Sequence, residues 1–502
     1  MRHKRAFGCI LLLLVWGQLA IAQSSVIPQG EKLLAWIAPG EEPGDQPANS
    51  SGQLVFINGD GSQETVLDIP ALTAHVTPCG DAPTSPDGKQ FAFYVGSDKG
   101  TIYMMTGILP QLQIVHEDIN TMTCTGNPTF RFSPDSARFA YMEYADAFNL
   151  DVSPSGRLHI RTTSTYETLA TFDAVAAFDI DNAAAATVTF FYNEDNEGVE
   201  AEVELWNGTA QQAIASVTAD DRCYYTSASV DMLPDGRLAA ILGHRCETGD
   251  GRTRWQFYMV DPNNRSMTQV MSDVSPGRYF APAMTNQLFA TPGADRVYFT
   301  VPDGLTNNTV SIYALQLAEM GIAPIIDGQA VVSSVSTKPY MRTNHTAILT
   351  PDNRWLAMIR NDANNNARLS LLELAAPELP AIELPLGERN AIVDEMLFSP
   401  NQEQLYYITS GSGSALYRLD LLTGAEIRIA RGVYGRGVMS PQGTALALVT
   451  YETINDRDTY MKLVVYDLTT NIETVLFTGA EIVENKITNQ QFVYPLAWRS
   501  GQ

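Results

Sequence analysis

The sequence predicts an all-β fold, a single large β-propeller of four-stranded blades, and three observations predict it. One unit recurs along the chain: a tight turn between two short apolar runs, as at Phe132-Ser133-Pro134-Asp135 ahead of Phe139-Ala140-Tyr141. Each such hairpin is followed by a second pair of strand-like runs, and the two ends of the chain each hold part of one sheet. Proline sets φ near the value that the second position of a turn requires, and Asp with Gly or Asn adds a side-chain hydrogen bond and a permissive backbone.

Taken in order, close copies of the turn stand at Ser85-Pro86-Asp87-Gly88, Leu233-Pro234-Asp235-Gly236 and Thr350-Pro351-Asp352-Asn353. Weaker ones stand at Thr291-Pro292-Gly293, Ser399-Pro400-Asn401 and Ser440-Pro441-Gln442-Gly443. After each hairpin comes a β-branched and aromatic run ending in Asp, such as Phe257-Tyr258-Met259-Val260-Asp261 or Leu463-Val464-Val465-Tyr466-Asp467, which has the composition of a buried third strand. The wide gap between Pro134 and Pro234 hides a degenerate copy over Phe178–Asn182, Thr187–Tyr192 and Val203–Trp206. Its Ala183 to Ala186 run is too short to hold a helix alone. Near the N-terminus, Leu33–Ile37, Leu54–Ile57 and Thr65–Leu67 supply three strands of a sheet that lacks its first. The segment Val493–Ser500 reads as that missing strand, so the termini are expected to complete one sheet and close a ring, which removes open sheet edges. The count is nine blades, or eight if one weak unit is an insertion.

Arg2, Lys4 and Arg5, an apolar run from Ala6 to Leu19 and Ala20-Ile21-Ala22 follow the plan of a secretory signal peptide. The expected organisation is a signal peptide over 1–22, a short linker over 23–30 and the propeller over 31–502. The exported chain is acidic: the formal charge of −24 becomes −24 − 3 = −27 once the three basic residues of the signal are lost. That disfavours nucleic acid and anionic lipid as partners. Loss of Cys9 leaves Cys79, Cys124, Cys223 and Cys246, an even number that suggests two disulfides. In the hairpin turning at Pro234 to Gly236, Cys223 and Cys246 fall opposite each other. Cys79 and Cys124 precede Ser85 and Ser133 in successive units, which pairs them as neighbours.

The Ser-Pro-Asp-Gly-Lys turn followed by an apolar strand resembles the propeller repeat of the TolB-type bacterial envelope proteins. The resemblance spans nearly all of the mature chain and implies the fold. That repeat also occurs in binding subunits and in non-catalytic domains of peptidases, so the resemblance implies no particular activity. The chain lacks the separate α/β domain of TolB itself and has more blades.

Connections from second to third strand and from blade to blade emerge on one face of a propeller. The long ones here are of that kind: Ala38 to Gly52, Glu143 to Gly156, Gly243 to Arg254, Ser272 to Asn286, Asp327 to Asn344 and Gly479 to Gln490. Long polar loops on a rigid scaffold are where binding sits, although loop length is also tolerated at little cost. Arg222, Arg278, Arg342, Arg389 and Arg436 lie in blade-to-blade connections ahead of the channel-lining first strands. Guanidinium groups grip carboxylates and phosphates in bidentate fashion, so the arginines are candidate anion ligands; ordinary loop salt bridges are the competing reading. His75 and His345 are expected on the channel side, with His345 joining the candidate ligand set, whereas His116, His159 and His244 are expected at the periphery. Asn193, Asp195, Glu197, Gly198 and Glu204 loosely follow a calcium-loop spacing but join strands, which favours a solvated turn.

No Gly-x-Ser-x-Gly elbow and no helix-rich segment for a hydrolase domain are present. The sequence therefore favours a non-catalytic, monomeric binding protein of the cell envelope or exterior, with a protein, peptide or glycan partner, an anionic one above all. No catalytic residue, metal or cofactor is implied. A hydrolase or lyase with its site in the channel, and a surface adhesion module, are the alternatives. The signal-peptide reading predicts an exported chain beginning at Gln23, which intact-mass measurement checks; an uncleaved, membrane-held chain contradicts it.

Overall fold

The computed structural model describes the chain from residue 27 to 500, outside 41–51, 70–74, 145–154, 247–252, 275–287, 291–295, 303–308, 332–346, 350–353, 362–366, 374–381, 387–391 and gaps of one to four residues. The expected signal peptide and the turns at Pro292 and Pro351 lie outside the described residues. What is described is an all-β protein whose antiparallel strands form six sheets in a β-propeller arrangement.

Three sheets are simple four-stranded meanders. One is built from His75–Pro78, Gln90–Gly96, Lys99–Thr106 and Leu112–Asn120. The other two run from Ile392–Phe398 to Glu426–Arg431 and from Val433–Met439 to Ile472–Thr478. Two larger sheets are meanders fused end to end. In the eleven-stranded one, Thr168–Ile180 pairs through Val175 with Gly156–Thr162, then shifts register and pairs from Val175 to Ile180 with Ala185–Tyr192. The degenerate unit is thus real, and Ala185 and Ala186 begin a strand rather than a helix. Single pairs, Gly198 with Tyr225 and Ala330 with Arg360, make the remaining fusions.

The sixth sheet joins the two ends of the described chain. Glu31–Gly40 pairs with the last strand from Glu31 opposite Ser500 to Gly40 opposite Gln490, and on its other edge with Gly52–Ile57, itself paired with Gln63–Ile69. The register slips between Leu34 and Ala35, opposite the segment holding Pro495, where a residue without an N–H is tolerated at a bulge. Gly479 to Gln490, expected as a loop, is instead largely a hairpin in which Ala480–Val483 pairs with the start of the last strand.

The repeated turn has one chemistry. Ser85 Oγ donates to Asp87 Oδ1 (2.6 Å) and accepts from Gln90 N (2.9 Å), while Gly88 N donates to Ser85 O (2.8 Å). Ser133 does the same with Asp135 and Arg138, and Ser399 with Asn401 and Gln404. The fourth position needs positive φ, which Gly88 adopts at 73° without cost and Ser136 and Gln402 adopt at 62° and 58°. Ser136 offsets that strain by accepting Asp87 N from the preceding turn (3.0 Å); Asp135 N in turn donates to Asn182 Oδ1 (2.8 Å). Successive turns are therefore linked to one another.

Where side chains are described, the sheets are apolar on both faces, and alternate residues enter different seams. Leu33, Ala35 and Ile37 pack with Ala445, Ala447 and Val449, while Leu34, Trp36 and Ala38 pack with Val76, Phe91 and Phe93. Ala92 and Tyr94 face Phe139 and Tyr141; Ala140 and Met142 face Phe178 and Trp206. Tyr406 and Ile408 likewise meet Leu446 and Leu448. A Leu or Phe fully buried in this way contributes ~1.5–3 kcal/mol. The disulfides Cys79–Cys124 and Cys223–Cys246 form as expected, the second between residues directly opposite in the ladder and the first through the short helix Met122–Thr125. Fully buried Arg499 donates to Lys89 O and to Gly107 O (3.3 Å), tying the terminal sheet to the next one. Burial lowers its pKa to about 10, against the pull of Asp87, so it stays charged at neutral pH.

Deleting Phe492–Gln502 removes the partner of Glu31–Gly40 and uncovers two seams. The shortened chain is expected to melt well below the intact one and to aggregate. Calorimetry and gel filtration check this; equal melting of a monomer contradicts it.

Candidate functional site

First strands from three consecutive units bring charged side chains together. Arg131 lies in Phe130–Phe132, Asp179 near the end of Thr168–Ile180 and Asp231 near the end of Cys223–Met232. Each stands two residues before a turn-opening residue, Ser133, Asp181 and Leu233 respectively, so equivalent positions of neighbouring units converge. Arg131 Nη1 donates to Asp179 Oδ1 (2.5 Å) and Asp231 Oδ1 (3.3 Å), and Asp179 Oδ2 accepts Met232 N (2.8 Å). A similar link appears elsewhere, where Trp498 Nε1 donates to Val438 O (2.7 Å).

The side chains of Arg131, Asp179 and Asp231 keep 36%, 15% and 21% of their surface accessible, so the group is deep in the protein yet wetted. Burial, aided by the charge of Asp179 and opposed by Arg131, pushes the Asp231 carboxyl up to about 7. Arg131 is shifted upward in spite of burial because two carboxylates face it. The arrangement holds three units together.

Of the anion ligands expected from sequence, Arg222 is exposed, with φ of 65°, beside the Cys223–Cys246 bridge. Arg436 lies on the first strand Val433–Met439, where pairing skips from Tyr434 opposite Val449 to Val438 opposite Ala447. A bulge thus sets Gly435, Arg436 and Gly437 in an unpaired stretch of that edge strand. Arg278, Arg342, His345 and Arg389 lie outside the described residues. His75 opens the first strand His75–Pro78. Asn193 and Glu197 close a turn on each other, Glu197 N donating to Asn193 Oδ1 (2.9 Å), while Glu204 accepts from Thr189 (2.9 Å) and Gln211 (2.7 Å). The calcium-loop spacing is therefore a hairpin between strands.

His116 and His159, expected at the periphery, stand together. His116 comes from Leu112–Asn120 of one sheet and meets Glu143 and His159, on Arg138–Glu143 and Gly156–Thr162 of the next. His159 Nε2 is 2.6 Å from Glu143 Oε2, and Tyr141 Oη is 3.2 Å from His116 Nδ1. The His159 ring stacks on Tyr141 at 5.0 Å and meets His116 edge-on at 5.4 Å. Arg161 lies 5.7 Å from the Tyr141 ring and donates through Nη1 to Val115 O (3.0 Å) and Tyr166 O (3.3 Å). Burial lowers the pKa of both imidazoles, against the opposing charge of Glu143, and Arg161 lowers them further. The Tyr141 hydroxyl is shifted upward by burial. His244 is also buried, beside Tyr225.

No family model and no curated protein matches the chain. Solved structures do match. A eukaryotic initiation factor aligns with a TM-score of 0.50 at 11% identity, over 94% of this chain and 99% of its own. A prolyl endopeptidase aligns with a TM-score of 0.43 at 13% identity over 79% of this chain, which spans only 55% of the peptidase. The Dos1 propeller aligns with a TM-score of 0.43 at 11% identity, over 75% of this chain and 89% of its own. At such identities the likeness concerns fold alone.

Asp231 makes a pH prediction. Its folded pKa of about 7 exceeds the unfolded value near 3.8, so the folded state holds the extra proton and stability falls as pH rises between those values. Asp231→Asn cannot ionise and is expected to flatten the fall in melting temperature between pH 4.5 and pH 8. Melting curves of both forms check this, and parallel pH profiles contradict it.

Proposed function

We propose that this is an exported, non-catalytic β-propeller of nine blades, closed by its terminal strands, that binds a protein, peptide or acidic glycan through its long-loop face. The nine-blade count treats the eleven-stranded sheet as three units, the first two sharing the long strand Thr168–Ile180, and the eight-stranded sheet as two units of four strands. The Ser-Pro-Asp turns support a TolB-type repeat, and two disulfides support an oxidising compartment such as the periplasm or the exterior.

One observation carries the binding reading. The longest connections, 41–51, 145–154, 275–287 and 332–346, join strand ends on one side of the sheets, while those on the other side, apart from 374–381, are short turns such as Ser85–Gln90 and Ser133–Arg138. A rigid scaffold with long segments on one side has the build of a recognition surface. Exposed Arg222 stands on that side, and Arg278 and Arg342 fall within its connections. In a chain of net charge −24, arginines carried by these connections favour an anionic ligand.

A panel of carboxylate-bearing peptides and acidic oligosaccharides, screened by thermal shift, tests the reading. At least one is expected to raise the melting temperature, with an effect that weakens in salt and in the double variant Arg278→Gln, Arg342→Gln. Equal shifts in both forms contradict the arginine assignment. Turnover of a bound compound contradicts the non-catalytic one.

A further inference from the structure

We propose that His116, Glu143 and His159 form a binding site for a divalent first-row transition metal ion, Zn²⁺ in the first instance, in the seam between two successive sheets. Among the described residues this is the one group of His, Cys, Asp and Glu whose ligand atoms all lie within 4.8 Å of one another. Ligands at ~2.0–2.2 Å around a tetrahedral ion stand about 3.4 Å apart, so small side-chain rotations close the set. Two imidazoles and one carboxylate suit zinc and its neighbours and not calcium or magnesium, which prefer oxygen alone.

The surroundings resemble those of a built site. Tyr141, fully buried, holds His116 through Nδ1 and backs the His159 ring, which is the outer partner that fixes a ligating imidazole. His159 and Glu143 keep 11% and 28% of their side-chain surface accessible, so an ion can enter and a fourth position is left for water or a further ligand. Because His116 belongs to one sheet and the other two residues to the next, a bound ion ties the sheets together. Arg161 opposes the ion, since with neutral imidazoles its charge cancels that of Glu143. Its Nη1 is engaged by the carbonyls of Val115 and Tyr166, which keeps the guanidinium in place rather than in the ligand set. The rival reading is a purely structural polar seam in which Glu143–His159 and Tyr141–His116 satisfy each other without metal.

The exported full-length chain, free of any histidine tag and stripped with chelator, is titrated with Zn²⁺ by calorimetry and with Co²⁺ by visible absorption. One ion per chain is expected, with Co²⁺ bands that Zn²⁺ abolishes. His116→Asn and Glu143→Gln are each expected to weaken binding at least ~10-fold, and Arg161→Gln to tighten it. In the unmutated chain, NMR signals of the His116 and His159 rings are expected to move with Zn²⁺, which keeps the test independent of variant folding. Absence of stoichiometric binding, or Zn²⁺-induced shifts confined to His75, His244 or His345, overturns the assignment.

Discussion

Burial on both faces is the constraint from which the rest of this structure follows. The strand Glu31–Gly40 sends odd residues into one seam and even residues into another, and Gln90–Gly96, Arg138–Glu143, Gln404–Ser410 and Ala445–Ile454 behave alike. A sheet so composed is unstable unless neighbours cover both sides. An open row of such sheets leaves two apolar faces in water at its ends, and a ring leaves none. The pairing of Glu31–Gly40 with Lys486–Ser500 gives the terminal sheet packed neighbours on both faces.

Packing of this kind is strong but indifferent to register, because one apolar face slides over another at little cost. The polar residues at the seams add direction. Ser136 and Asn182 catch the backbone of the preceding turn, Arg499 caps the hairpin of the adjoining sheet and Arg131 spans two successive first strands. A buried polar group left alone is costly, so the contacts of fully buried Arg499 disfavour the slipped arrangements that would break them. The seam between His116 and His159 is the place where this logic leaves reactive groups beside one another.

Much of the fold was legible because its signals are local. A Ser-Pro-Asp-Gly turn states its own hydrogen bonds, and the three-residue turn between Leu233 and Arg237 fixes the register far enough out to pair Cys223 with Cys246. Terminal pairing was legible from composition, since Val493–Ser500 is a first strand without its hairpin. The cluster of His116, Glu143 and His159 was not. Glu143 and His159 flank a long connection whose register no tight turn sets, and His116 meets them only through the packing of one sheet on the next. The Arg131 group was hidden for the same reason, although its residues share one offset from the turn; comparing that offset across units is the signal that finds it. The extra hairpin at Ala480–Val483 was missed because a polar stretch between two units reads equally as loop.

Amide hydrogen exchange followed by mass spectrometry on the intact exported chain tests the central claim, that the terminal strands belong to the same two-sided packing as the interior ones. Peptides covering Glu31–Gly40 and Lys486–Ser500 are predicted to exchange as slowly as those covering Gln90–Gly96 and Ala445–Ile454 and to open together with them. Rapid, independent exchange of either terminal strand, with the interior strands still protected, would contradict it.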